Sequence, residues 1–266
     1  MPQLFSYSRL DTFVGCPRNY YWTYIKGQRG AESIYSYLGS AAHDLAESID
    51  RGQLTNDEAV TRFMEEVDNA DMLGLTWITP KSRTNYIECV QHYLQFHEAS
   101  TDPNQRIEDV FAVEIGDIVV WGFIDKWSRD GDIITITDYK TSSKFSAKDL
   151  EHKKMQLYIY AEALSRYYPE CDIKMRYDMM KYAKVGKTLK ARNELLLNNK
   201  EWDDGYVWLE YTDESREELY RFVDDIMSKI NARDPNNIDT WEMGENPKKS
   251  FFCRELCDHC GKCLGG

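Results

Sequence analysis

The chain has 266 residues, 33 of them basic and 45 acidic, for a net charge of −12. At 42% hydrophobic and 13% aromatic it holds enough apolar matter for a folded core, which excludes a disordered chain. No apolar run approaches the roughly 18 residues of a membrane span. The opening residues lack the basic-then-apolar order of a secretory signal, so a cytoplasmic location is expected. The acidity excludes a protein that coats DNA by bulk charge. It leaves room for an enzyme that grips nucleic acid locally and holds metal with carboxylates.

Taken in chain order, residues 6–26 read as helix, broken at Gly15-Cys16-Pro17 and then rich in aromatics (Tyr20, Tyr21, Trp22, Tyr24). Residues 36–51 form a clear helix, with Leu38, Ala41, Ala42, Leu45 and Ile49 on one apolar stripe. His43 falls about 140° from Leu38, off that stripe. Further helices are expected at 55–70, opened by Thr55 or Asn56 with Asp57-Glu58 in the first turn, and at 81–99. The period then changes. Residues 109–115, 118–127 and 132–141 are rich in Val, Ile and Thr, and Gly116-Asp117 and Asp130-Gly131 part them as turns. This predicts a three-stranded antiparallel meander. A helix at 148–167, strands at 172–182 and 206–211 and a helix at 213–232 follow. Residues 233–250 read as a linker to a cysteine-rich tail. The expected organisation is one α/β domain over 1–266: a mainly helical part over 1–100, a core over 105–232 and the tail over 233–266.

Seven cysteines are present, four of them Cys253, Cys257, Cys260 and Cys263. So tight a cluster reads as metal ligation rather than a disulfide framework. The spacing C-x3-C-x2-C-x2-C lacks the long loop of a usual zinc site, to which His259 is a further candidate ligand. An iron–sulfur cluster accepts ligands from distant segments, and Cys16 is the obvious distant candidate. Five thiols for four places leave one as a spectator.

The hairpin from Gly122 to Lys140 is the most informative segment. A two-residue turn at Asp130-Gly131 places Asp125 opposite Ile136 and Phe123 opposite Asp138. Asp125, Ile136, Asp138 and Lys140 then share a face. The two carboxylates become diagonal neighbours, roughly 7–8 Å apart at Cα, and suit a shared divalent cation. With an ammonium beside them, this is a set for metal-assisted phosphodiester hydrolysis with Mg²⁺ or Mn²⁺. The same spacing also suits an exposed sheet face with an ordinary Asp–Lys pair.

Several segments together resemble the RecB-like branch of the PD-(D/E)XK nuclease superfamily. They are Ser8-Arg9-Leu10, Cys16-Pro17-Arg18 with Tyr21, Gly39-Ser40-Ala41-Ala42-His43, Gly122-Phe123-Ile124-Asp125, Asp138-Tyr139-Lys140-Thr141-Ser142 and Gln156-Leu157-Tyr158-Ile159-Tyr160, ending in the cysteine cluster. The resemblance spans almost the whole chain. It implies a restriction-endonuclease-like α/β core, a mixed sheet flanked by helices, with the two ends of the chain joined by a metal cluster. It implies Asp125, Asp138, His43 and the Tyr139 carbonyl as ligands of Mg²⁺ or Mn²⁺, and Lys140 as the catalytic lysine. Gln156 and Tyr160 match the family's Gln-x-x-x-Tyr motif, which positions DNA or the site. Glu114 sits where relatives often carry an acid, but a turn at Gly116-Asp117 puts it opposite Val119, well along the strand from Asp125.

Iron–sulfur members of this branch, such as CRISPR-associated RecB-like nucleases, use one upstream cysteine and three near the C-terminus. The resemblance therefore implies a [4Fe–4S] cluster on Cys16, Cys253, Cys257 and Cys263, with Cys260 as the alternative ligand. The spacing departs from the usual C-x2-C-x5-C, and Zn²⁺ in the tail is the other reading. For DNA contact, Lys174, Arg176, Lys181, Lys184, Lys187, Lys190 and Arg192 form the strongest basic run. The expected function is a metal-dependent DNA nuclease, an exonuclease on ends or single strands. The rivals are a CRISPR-adaptation nuclease within an integration complex and a non-catalytic DNA-binding protein of the same fold. With no G-x-x-x-x-G-K-[ST] loop, unwinding would need a helicase partner.

Overall fold

The computed structural model describes residues 3–28, 30, 32–142, 145, 147–181, 205–244, 250, 252–257 and 259–264. Strand β1 (Gln3–Phe5) opens the described chain, then helix α1 (Tyr7–Gly15), capped by the Ser6 hydroxyl, and α2 (Pro17–Tyr20), which runs into a π-turn over Tyr21–Ile25. Pro17 stands at the start of α2, where its missing N–H leaves no intrahelical bond unmade. Helices α3 (Ile34–Asp50), α4 (Asn56–Met72) and α5 (Pro80–Phe96) follow. Thr55 and Glu58 form a capping box on α4, and Thr79 and Ser82 one on α5, so each start is written in the sequence.

The meander is present as β2 (Arg106–Ile115), β3 (Ile118–Asp130) and β4 (Ile133–Lys140). Helix α6 (Ala147–Tyr167) crosses over to β5 (Asp172–Met179), which is parallel to β4, and β6 (Tyr206–Glu210) pairs antiparallel to β5. Helix α7 (Asp213–Asn231), a 3-10 turn (Ile238–Thr240), a π-turn (Phe252–Leu256) and a short terminal helix α8 (Cys260–Leu264) complete the described elements. The sheet is mixed, as expected. The parallel pairing of β1 with β3, Leu4 against Val119, was not expected, because a three-residue strand carries no alternation to read.

The β2–β3 register agrees with the sequence reading, with Glu114 opposite Val119. The β3–β4 register does not. Asp130 pairs with Ile133 and Lys126 with Thr137, so the turn residues are Gly131 and Asp132. Gly131 lies in the left-handed region (φ 59°), which a tight hairpin turn demands at its first position. The ladder moves by two residues. Asp125 is brought level with Asp138 rather than Ile136, and because the shift is even its face is kept.

Two clusters form the core. The first packs α1, α6 and α7 on the sheet through residues such as Leu10, Ile118, Val120, Ile136, Leu157, Tyr177 and Leu219. The second lies among α3, α4 and α5, reaches the sheet at Tyr139 and includes Met180, just past the end of β5. Ile124 and Trp127 both join the first cluster although they lie three apart, and all of 124–127 is buried. The pleat therefore slips by a residue there. On the partner strand, Glu108 adopts φ 55° and interrupts the ladder between Ile107–Lys126 and Asp109–Ile124.

Trp241, buried, stacks on Tyr20 at 5.8 Å and pins the segment after α7 to the N-terminal helices. Its carbonyl accepts from Arg18 Nε at 2.7 Å, and the Glu242 carbonyl from the Arg18 amide at 3.0 Å. Gly244 passes so close that a Cβ there would collide with the Gly15 carbonyl. No described helix is long and apolar enough to cross a membrane.

Buried Glu162 ties α6 to α7. It accepts from Tyr211 (2.6 Å), Tyr220 (3.0 Å), Arg166 (2.9 Å) and Arg216 (3.0 Å). Burial raises its pKa, but these donors outweigh burial and hold it below the usual value. Its stabilisation is thus complete above the ordinary carboxylate range and fades as pH falls through it. Both arginines are nearly half exposed, so solvent screens the pairs. Glu162→Gln should cost about 1–2 kcal/mol at pH 7. Thermal melts should show that difference shrinking toward pH 3.

Candidate active site

The carboxylates of Asp125 and Asp138 meet where the β3–β4 ladder ends. Asp138 is fully buried and Asp125 nearly so. The Tyr139 amide, in the strand between Asp138 and Lys140, donates to Asp125 Oδ2 at 2.8 Å. The Lys140 ammonium pairs with Asp138, although neither Asp138 oxygen has a well-aligned hydrogen-bond partner. Burial pushes both carboxyl groups up to about 6, against the opposing pull of Lys140. Two acids held in apolar surroundings with one ammonium between them are short of positive charge.

Helix α3 delivers His43 from the other side. Its Nδ1 lies 3.6 Å from Asp125 Oδ2. Burial, then the nearby Lys140 charge, lowers its pKa to about 4, so the imidazole is neutral at pH 7 and free to act as a ligand. Off the α3 apolar stripe is where the sequence put it. On α6, Gln156 Nε2 donates to the Tyr160 hydroxyl at 2.8 Å. Tyr160 is buried; its phenol is pushed up by burial and by the charges of Asp138 and Asp125. The Gln-x-x-x-Tyr pair therefore lies within electrostatic reach of the two carboxylates from the α6 side. Lys140 also lies 5.4 Å over the Tyr177 ring.

Two acids went unnoticed in the sequence. Glu47, one turn past His43 on α3, is buried and pairs with Arg51 at 3.3 Å. Burial and then the Glu108 carboxylate, to which it hydrogen-bonds, push its pKa up to about 8. Asp125 contributes to the same shift. The i, i+4 spacing from His43 was a usable signal for Glu47. Glu108 had none, since it reaches the site through its left-handed backbone. Glu114 is exposed at the far end of β2, as the register required.

The cysteines are also gathered from the two ends of the chain. Burial raises the Cys257 thiol to about 11, and Cys16, Cys253 and Cys263 push it the same way. Cys263 is raised by burial and by Cys16, Cys253 and Cys260. Cys16 Sγ accepts from the Gly244 amide at 3.4 Å. His259 is buried, with Nε2 3.3 Å from the Thr23 hydroxyl and Nδ1 3.5 Å from Lys262. None of the seven cysteines is joined in a disulfide. Among the described residues, no three His, Cys, Asp or Glu side chains close on one point in ready metal-binding geometry. The donor chemistry nonetheless fits at both places. The first offers hard oxygens, both of Asp138's left without an aligned donor, and a neutral imidazole. The second offers soft thiols, close enough that their neighbours raise Cys257 and Cys263.

Of the basic run, Lys181 lies over the Tyr86 ring at 5.2 Å, partly buried. Lys184, Lys187 and Lys190 lie outside the described residues. Tyr20 and Tyr21 are core residues.

The chain matches the sequence profile of the PD-(D/E)XK nuclease superfamily over residues 4–263. It belongs to that superfamily. Membership sets the activity class as phosphodiester hydrolysis, the substrate class as nucleic acid and the typical cofactor as a divalent metal. No curated protein matches the chain. A solved structure described as the crystal structure of SSO0001 shares 13% identity over 97% of this chain and 84% of that one, with a TM-score of 0.34. That likeness is too distant to bear on function.

Because Asp138 is a buried charge short of compensation, Asp138→Asn should melt no lower than wild type in chelator at pH 7.5. It should also lose any rise in melting temperature that Mn²⁺ gives the wild type. A fall of many degrees in chelator would show instead that the Lys140 pairing outweighs burial.

Proposed function

We propose that the chain is a metal-dependent DNA nuclease of the RecB-like type, acting as an exonuclease on ends or single strands. The observation that carries this is the buried Asp125–Asp138 pair with Lys140 beside it and neutral His43 facing it. Asp125, Asp138, His43 and the Tyr139 carbonyl would hold Mg²⁺ or Mn²⁺. Bound there, the metal would supply Lewis-acid activation of water and a counter-charge for the scissile phosphate. Lys140 orients the attacking water or meets the charge that develops on the phosphate in the transition state. Gln156 fixes the Tyr160 hydroxyl and with it the wall against which the substrate backbone lies. A binding protein that had lost catalysis would have no use for so costly a pair of buried acids. Lys181 and the lysines at 184, 187 and 190 supply the phosphate grip that the acidic site lacks. Duplex substrates would call for a helicase partner, and the same chemistry would serve trimming within an integration complex.

A second metal centre is part of this reading. Cys16 and three of the tail cysteines, Cys253, Cys257 and Cys263, would hold a [4Fe–4S] cluster, with Cys260 as spectator. The mutual proximity of these thiols supports it. The engagement of His259 by Thr23 and Lys262 weighs against zinc. Such a cluster would clamp the two ends of the chain and have no part in hydrolysis.

Cleavage of 5′- and 3′-labelled single- and double-stranded DNA with Mn²⁺ tests the first part. Wild type should degrade DNA from ends, and Lys140→Ala should lose at least about a hundredfold in rate. A wild type that binds DNA yet leaves it intact with either metal would refute catalysis by the chain alone. For the second part, protein purified without air should show a broad absorbance near 400 nm, the order expected of iron–sulfur thiolate bands. Cys16→Ser should bleach that absorbance and lower the melting temperature, while Cys260→Ser should leave both in place. Stoichiometric zinc in a colourless protein would overturn the cluster.

A further inference from the structure

One carboxylate outside the site joins the three elements that carry His43, Asp125, Asp138 and Lys140. Asp50 ends α3, two turns after His43 and on nearly the same helix face. Its side chain is completely buried. Oδ1 lies 2.7 Å from Lys126 Nζ and 3.2 Å from His97 Nε2, and accepts from the Ser100 amide at 3.3 Å. Oδ2 takes the hydroxyl of Tyr139, which itself lies 3.5 Å from Lys126 Nζ. Lys126 directly follows Asp125 on β3. Tyr139 stands between Asp138 and Lys140 on β4. The three elements that carry His43, Asp125, Asp138 and Lys140 are thus bound through one side chain.

Stability alone does not call for this arrangement. A buried ion pair is often no better than well-packed apolar residues of the same volume, because both charges must be stripped of water. Here burial opposes the Asp50 charge, and the His97 and Lys126 donors overcome it to hold the carboxyl below its usual range. What the network adds is direction. Tyr139 is held at its hydroxyl by Asp50 and at its amide by Asp125, so neither its ring nor its peptide can turn. The peptides on either side of it carry Asp138 and Lys140.

We infer that Asp50, acting through Tyr139 and Lys126, is the positioning residue that sets the geometry of the metal-binding carboxylates and the catalytic lysine. This rests on the nuclease reading above for the role of those groups. Outer-shell partners of metal ligands are typically worth about 10- to 100-fold in metal affinity or rate.

The test uses the full chain and Tyr139→Phe, which deletes only the hydroxyl, alongside Asp50→Asn. Amide hydrogen exchange in chelator reads the strand end without metal or substrate. Tyr139→Phe should speed exchange at residues 138–140 by about tenfold or more while the melting temperature falls by only a few degrees. Mn²⁺ affinity, read by electron paramagnetic resonance, should fall about tenfold or more in Tyr139→Phe. The double variant should bind Mn²⁺ no worse than Asp50→Asn, because both changes break one path. On DNA, kcat should fall with KM little changed. Unchanged exchange and Mn²⁺ affinity in Tyr139→Phe, with Asp50→Asn merely less stable, would overturn the inference and leave Asp50 a structural residue. A wild type that binds Mn²⁺ but cleaves nothing would defeat the nuclease reading alone, since exchange and affinity still judge the positioning.

Discussion

The molecule is organised around an electrostatic deficit. Two carboxylates are buried side by side at the end of a β ladder with one lysine to offset them, and both are driven toward their protonated forms. A folded protein tolerates this only if the surrounding backbone over-determines the positions. The hairpin turn at Gly131 levels Asp125 with Asp138. The slip in β3 buries four consecutive residues, and the Tyr139 amide caps Asp125. Helix α3 then closes the space with a histidine, His43, that burial keeps neutral, so no further charge is added.

The chain's two ends obey a related constraint. The N-terminal helices and the tail have few apolar residues of their own to join them, and Trp241 is the main one, buried among Phe13, Tyr20 and Tyr21. Close approach of Gly244 to Gly15 and Cys16 lets the tail cysteines return to the first turn of α2. Burial makes the Cys257 and Cys263 thiols poor thiolates by themselves. A metal able to take several at once would reverse that preference, and the free energy of binding would then also be free energy of joining the ends.

Much of this was legible in the sequence. The strong periodicities and caps gave the helices α3 to α7 to within a few residues, because local chemistry decides them. The family resemblance singled out Asp125, Asp138, Lys140 and His43, and strand parity and helix phase, which survive small errors of register, agreed with it. The hairpin shows why: a two-residue error moved every partner and left every face unchanged. What failed was set by tertiary contact. A strand as short as β1 exists only because β3 is there to pair with it. Glu108 enters the site through a backbone conformation that no pattern announces. Asp44, Glu47 and Asp50 look alike along α3, and only burial separates the exposed one from the two that matter.

A net-acidic protein that handles a polyanion must separate attraction from chemistry. In the proposed reading, the Asp125 and Asp138 carboxylates repel phosphate until a cation joins them, so an idle site would not hold nucleic acid unproductively. Lys140 does not relieve this, because its charge is already committed to Asp138. Substrate grip must therefore come from cations outside the acid pair, and the segment richest in them follows β5, whose parallel pairing with β4 brings its end beside Lys140. On this view the divalent metal completes the ligand set and also switches the sign of the site. Productive binding and catalysis then depend on the same ion.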